Sequence, residues 1–181
     1  MDQGILVMKQ KIFIDFGIGN NFNKSIKAKS LQDYYTIAID KRRYNEYNEY
    51  KTFVDQYIIG DWREEYDIPL ADEWICTSCF EHISPNEVES SIQGIIKKVK
   101  PRSQGKFFVD LTDHEGGFKH YDGWKHPWSY LNTIKHDEWY KIFRKYFLFD
   151  FEKHYLIKNN ELLPSGIQLL NVKVKNENNL R

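Results

Sequence analysis

Apolar residues recur along this chain with two different periods, and the order in which the periods appear sets the first expectations. In "KIFIDFG", residues 11–17, Ile12, Ile14 and Phe16 alternate with Lys11, Phe13 and Asp15, the two-residue period of a strand that closes at the glycine turn "GIGNN". "YYTIAID", 34–40, reads as a second strand. Over 42–59 the spacing changes to three and four, through Tyr44, Tyr47, Tyr50, Val54, Tyr57 and Ile58, with Gly60 as a stop. That predicts an amphipathic helix whose first half offers only tyrosines to its apolar stripe. "SPNEVESSIQGIIKKVK", 84–100, predicts a further helix: Ser84 caps it, Pro85 occupies its first turn, Glu87 completes a capping box, and Val88, Ile92, Ile95 and Val99 form the buried face.

A turn over 101–106 and a strand "KFFVDL" follow, and "HDEWYKIFRKYF", 136–147, repeats Trp139, Ile142, Phe143 and Tyr146 at helical spacing. "FEKHYLI" and "IQLLNVKV" then read as two strands across a turn near "NNELLPSG". The stretch 112–128, "TDHEGGFKHYDGWKHPW", has no period and carries three histidines and two tryptophans, so it reads as a long loop too rich in special side chains to be a plain connector. Hairpins at both ends of this order predict an α+β fold. The expected architecture is a single globular domain over 1–175, a mostly antiparallel sheet with about three helices and one long aromatic and His-rich loop, followed by a frayed tail over 176–181.

Composition narrows the classes. A chain of 181 residues can bury one real core. Equal numbers of basic and acidic residues, 26 each, remove the usual electrostatic case for a nucleic-acid scaffold or an acidic DNA mimic. Aromatic residues reach 16%, which marks a folded composition and suits contact surfaces, because Tyr and Trp combine large area with a polar tip. Two cysteines make no disulfide framework, the apolar run Ile5 to Met8 is too short for a signal-peptide core, and no segment is long enough to span a bilayer. The expectation is a reduced, cytoplasmic protein. The abundance of Lys, Asn, Ile and Tyr fits a low-GC bacterial or phage coding sequence.

The candidate chemistry begins at "WICTSCFEH", 74–82. Cys76 and Cys79 stand at C-x-x-C spacing, the short chelate loop that sets two ligands at tetrahedral distance on zinc. With no second cysteine pair, the remaining ligands of one structural zinc would be His82, or His114 and His120 from the long loop. The competing readings are free thiols at a strand end beside Trp74 and Phe80, and a redox pair, which wants a helix N-terminus immediately after a strand. The cluster Lys97, Lys98, Lys100, Arg102 and Lys106 reads mainly as a solvated face complementing a helix dipole, with phosphate or nucleic-acid binding as the second reading.

Two fragments resemble known families. The stretch "VDLTDHEGGFKHYDGWKHPWSYLN", with Asp113 and His114 entering a Gly-Gly loop and Asn132 and His136 downstream, is similar to the HNH family of ββα-metal nucleases. That resemblance implies His114 as the base and Asp113, Asn132 or His136 as supporting groups around a hard metal. It departs from the family pattern in lacking a second cysteine pair and in placing a helix between Cys79 and His114. "IDFGIGNNFNK" is similar to the first phosphate loop of actin-like ATPases; no second such loop exists, so a strand ending in a glycine turn accounts for it better. No G-x-S-x-G, Walker lysine or H-E-x-x-H pattern occurs.

The sequence therefore predicts a small intracellular non-enzymatic binding protein, such as an inhibitor, immunity or anti-defence factor, that docks on another protein through Tyr44, Tyr47, Tyr50, Trp62, Trp124 and Trp128. The alternative is a zinc-stabilised nucleic-acid module or a degenerate HNH-like nuclease built on Cys76, Cys79, His114 and His120. No cofactor, or one structural zinc, is expected.

Overall fold

The structure, a computed structural model, describes residues 11–19, 24–41, 52–111, 134–158 and 160–175. Its elements are β1 (Ile12–Phe16), α1 (Lys24–Ser30), β2 (Tyr35–Asp40), β3 (Gln56–Ile59), β4 (Ala71–Thr77), a 3-10 turn (Phe80–His82), α2 (Pro85–Ile96), β5 (Val99–Asp110), α3 (His136–Tyr146), β6 (Phe147–Lys158) and β7 (Glu161–Val174). The strands form one 7-stranded sheet in the order β3-β2-β1-β4-β5-β7-β6. β1 pairs in parallel with β2 and β4, β2 with β3, and β4 with β5, while β7 runs antiparallel between β5 and β6.

This corrects the expected α+β, mostly antiparallel sheet: the protein is α/β with a mostly parallel sheet. Two-residue alternation reports a strand but not its direction, and the connection from β1 to β2 is a helical crossover through α1 rather than a hairpin turn. Burial gives the physical reason. Four of five residues of β1 and five of six of β2 are buried, as a parallel strand covered on both faces must be. On one face Ile14, Phe16, Ile37, Ile39, Trp74, Cys76, Phe107 and Val109 pack with Val88, Ile92 and Ile95 of α2 and Trp139 and Phe143 of α3. On the other, Phe13, Ala38 and Ile75 meet Ile18, Ile26 of α1, Tyr34 and Val54.

Three local expectations also change. Tyr57 and Ile58 lie on β3, drawn into the sheet by pairing with Ala38 and Ile39, instead of at the end of the expected helix over 42–59, of which residues 42–51 lie outside the described ones. Thr36 secures that entry, its N–H donating to Asp55 Oδ2 at 2.7 Å and its hydroxyl donating to Phe53 O at 2.7 Å. The second helix ends at Ile96, and β5 begins at Val99 and absorbs the expected turn 101–106 after a register irregularity between Ala71 and Glu73 on β4. The Ser84 hydroxyl makes no capping bond; Glu87 instead accepts from Arg63 Nη1 at 2.7 Å. The helix over 136–147 and the final hairpin agree with the expectation, as α3 and β6–β7. Among the described residues no helix is long and apolar enough to cross a membrane.

The tightest packing joins β4, β5 and α3. The Trp74 ring lies 5.0 Å from that of Phe107, which lies 4.7 Å from Phe143, itself stacked on Trp139 at 5.4 Å. A Cβ on Gly105 would stand 2.0 Å from Trp74 Cε2, so the indole lies directly across the β5 backbone. Removing the fully buried Phe143 ring as Phe143→Ala is expected to cost about 3–5 kcal/mol in urea denaturation; a loss within the range of surface substitutions would show that α3 does not hold this face.

Candidate functional site at the carboxyl ends of the parallel strands

In an open parallel sheet the chain leaves a crevice where strand order reverses, and ligands bind beyond the carboxyl ends of the strands there. Here the reversal lies between β1 and β4. β1 exits through Gly17 and Gly19, both with positive φ (78° and 67°), a backbone that L side chains rarely adopt. The turn is tied to the end of β2: Gly17 N–H donates to Ile39 O at 2.7 Å, and Gly19 N–H donates to Asp40 Oδ2 at 2.9 Å. Gly17 has a second reason to be glycine, since a Cβ would stand 2.2 Å from Cys79 Sγ. The spacing G-x-G after a strand, an acid at the end of the next strand about 20 residues on, and a helix between them match the backbone logic of nucleoside recognition, in which glycines admit the ligand and the acid meets ribose hydroxyls.

Further acids stand at the other strand ends. After β3, Asp61 accepts from Arg63 Nη2 at 2.5 Å and pairs with Lys41 at 3.1 Å; burial pushes its carboxyl up, but the Arg63 and Lys41 cations outweigh this and hold it at about 2. After β4, Phe80 anchors the 3-10 turn by ring contacts with Phe107, Trp139 and Phe143 at 5.3, 6.1 and 5.6 Å. Next to it, Glu81 is 2% exposed, and neither carboxylate oxygen makes a hydrogen bond of normal geometry to any described residue. Burial pushes its carboxyl up to about 8, Asp110 at the end of β5 adds to the rise, and the nearby N–H groups of Glu81 and Asp110 offset it only in part. Ser78 N–H donates to Phe108 O at 2.9 Å, which joins the exit of β4 to the end of β5.

The structure puts the sequence-derived candidates in different places. Cys76 is buried on β4, and Cys79 Sγ lies 3.1 Å from Thr77 O and 3.3 Å from Gly17 O, so its thiol clamps the glycine turn. Burial raises the Cys76 thiol, and the hydrogen bond with Cys76 together with burial raises that of Cys79 well above its usual range. Zinc needs thiolates. Among the described residues no group of three His, Cys, Asp or Glu side chains gathers around these sulfurs. Trp62 is 6% exposed; its Nε1–H donates to Ser91 O at 3.2 Å and its ring meets Phe16 and Phe80, so it is a core anchor with little ring left for a partner. Asp113, His114, His120, Asn132, Tyr44, Tyr47, Tyr50, Trp124 and Trp128 lie outside the described residues. His136 opens α3, its Nε2 3.1 Å from Gly166 O.

The basic cluster sits near the start of β5, away from these strand ends, and part of its charge is spent locally. Lys98 is 5% exposed with Nζ donating to Glu64 O at 2.6 Å, and Lys100 pairs with Asp72 at 2.5 Å. Sequence reasoning missed Gly19, Asp40 and Glu81. The signal for the first two was the G-x-G turn with an acid one strand later; for Glu81 it was a carboxylate embedded in the apolar run Trp74 to Ile83.

No family model matches the sequence, and no curated protein matches it either. Solved structures do. The chain is similar to the 1,6-didemethyltoxoflavin N1-methyltransferase of Burkholderia thailandensis, with a TM-score of 0.63 and 12% identity over 90% of this chain and 71% of that one. It is similar to the magnesium protoporphyrin IX methyltransferase of Synechocystis, with a TM-score of 0.57 and 9% identity over 90% of this chain and 70% of that one. It also resembles the N-methyltransferase NodS of Bradyrhizobium japonicum, with a TM-score of 0.57 and 8% identity over 89% of this chain and 85% of that one. At such identities the likeness establishes the fold, the Rossmann-like α/β fold of these S-adenosylmethionine-dependent methyltransferases. This likeness runs against the expectation of a non-enzymatic inhibitor, immunity or anti-defence protein, and against the alternative of a zinc-stabilised nucleic-acid module or HNH-like nuclease: the solved structures named above that share the fold are methyltransferases.

Two outcomes test the site's construction. Gly17→Ala is expected to lose roughly 1–3 kcal/mol of stability from the positive φ alone, with the sulfur clash in addition. Adding Cys79→Ala recovers the clash component, read as a coupling energy in a double-mutant cycle. For Glu81 the folded-state value lies above the unfolded one, so the wild-type fold binds the extra proton and loses stability as pH rises from the unfolded value of 4.5 through about 8. The melting temperature of Glu81→Gln minus that of the wild type is therefore expected to become more positive from pH 5 to pH 9; a flat difference would mean that Glu81 titrates normally.

Proposed function

We propose that the protein is an S-adenosylmethionine-dependent methyltransferase. The observation that carries this reading is the Gly17–Gly19 turn joined to Asp40 at the switch point of a sheet whose β7 is inserted antiparallel between β5 and β6. The residues fit an adenosyl sulfonium better than a dinucleotide. The dinucleotide fingerprint G-x-G-x-x-G has a third glycine, for close helix–strand packing, where this chain has Phe22, and a pyrophosphate gains nothing from a rim that carries Asp40, Asp61, Glu81 and Asp110. Those same acids suit hydroxyls and a positive charge.

When bound, the sulfonium supplies an activated methyl group to a nucleophile. The chain's own residues do the rest. The glycine turn lets backbone approach the nucleoside, Asp40 accepts hydrogen bonds from ribose hydroxyls while its Gly19 contact holds it in place, and Cys79 keeps the turn from opening. Holding donor and acceptor in line is the main source of rate in such a transfer.

Calorimetric titration with S-adenosylhomocysteine tests the reading directly. Binding in the micromolar range is expected, weakened about tenfold or more by Asp40→Ala through loss of charge-assisted hydrogen bonds. Absence of binding by the folded wild-type protein would sink it.

A further inference from the structure

Among the described residues, Glu81 is a rim carboxyl that is buried without a hydrogen bond of normal geometry. A side chain 2% exposed whose two oxygens make no hydrogen bond of normal geometry to a described residue gives the core little that an apolar residue of similar volume would not give better, since an unsatisfied buried polar group is a net cost. Its placement is also specific. Phe80 fixes the residue before it against Phe107, Trp139 and Phe143, and Cys79, two residues earlier, touches the Gly17 carbonyl, so Glu81 lies between the glycine turn and the end of β5. The titratable groups around it are Asp110 on β5 and the thiols of Cys76 and Cys79 on and after β4, with Asp15 on β1 and Asp40 on β2 bearing on the same thiols. Among the described residues this is an acidic and neutral surround, with no cation named against the Glu81 carboxyl.

Resting on the methyltransferase reading, we propose that Glu81 is the proton-handling carboxyl of the site, the group that answers the cationic methyl donor and takes the proton of an O–H or N–H acceptor. An opposite charge within a few ångströms lowers a carboxyl's pKa by about one to three units, enough to bring a group near 8 below neutrality. In the transfer the acceptor's lone pair forms the bond to the methyl carbon, and the sulfur–methyl bond breaks with its pair left on sulfur as a neutral thioether. Glu81 receives the acceptor's proton and later returns it to solvent. Such a base is needed only where the acceptor holds its proton at neutral pH, which assigns the acceptor to hydroxyls, neutral amines or heterocyclic N–H groups rather than carboxylates or thiolates.

The test counts protons. Titration of the wild-type protein with S-adenosylmethionine and with S-adenosylhomocysteine, at pH 7 in buffers of different ionisation enthalpy, compares a sulfonium with a thioether that shares every other group. S-adenosylmethionine is expected to release roughly half a proton or more per site beyond S-adenosylhomocysteine. The excess should vanish in Glu81→Gln. If that variant does not fold, the wild-type pH series decides, because the excess must fade by about pH 9, where Glu81 is already ionised. Equal proton counts for the two ligands, an excess that survives Glu81→Gln, or one that persists at pH 9 overturns the proposal while leaving the methyltransferase reading intact. Failure of both ligands to bind removes that reading and this proposal together.

Discussion

A strand in the middle of a parallel sheet must be covered on both faces, and the chain meets that demand by alternating two unequal sets of apolar side chains along β1 and β2. Ile14, Phe16, Ile37 and Ile39 face the larger layer, where Trp74, Phe80, Phe107, Trp139 and Phe143 interlock; Phe13 and Ala38 face the smaller one under α1. Gly105 supports the larger layer, because any side chain there would occupy the volume of the Trp74 indole. From this packing follows the alignment of the strand ends. β1, β2, β4 and β5 finish at one rim because their registers are set by which residues interdigitate between them.

The rim then has a property that no single strand has. β2, β3, β4 and β5 each bring an acid to it, and the strand ends are fastened to one another: Gly17 to Ile39, Gly19 to Asp40, Gly60 N–H to Asp40 O at 2.8 Å, Ser78 to Phe108. The acids are handled differently. Asp61 is neutralised by Arg63 and Lys41, Asp40 is engaged by a backbone amide, and Glu81 makes no hydrogen bond of normal geometry to a described residue. Carboxyls of one type thus end in three electrostatic states within one crevice, and chemistry that must bind a charge in one place and move a proton in another requires that separation.

The C-x-x-C pair illustrates how one spacing admits several readings, of which free thiols at a strand end is the one the described residues show. Its spacing suited zinc, yet the feature that decides its role is the distance from Cys79 Sγ to Gly17 O, 62 residues away in sequence. A thiol that fills the space of a missing Cβ and donates to backbone carbonyls is packing and clamp in one side chain. The end of the expected helix over 42–59 changed for a related reason: Tyr57 and Ile58 have the spacing of a helix face, but β2 offers an open edge, and ladder hydrogen bonds there outweigh local propensity.

By itself the sequence determined which segments bury an apolar face, and so the positions of β1, β2, α2, α3 and the final hairpin, because hydrophobic period is a local property that survives any arrangement of the elements. It also held the glycine turn and the acids Asp40 and Glu81 in plain view without saying that they belong together. Strand direction, the insertion of β7 between β5 and β6, and the meeting of Gly17, Asp40, Cys79 and Glu81 at one rim were decided only by the tertiary structure. They depend on contacts between residues tens of positions apart, and those are selected by how two sheet faces are filled rather than by any pattern readable along the chain.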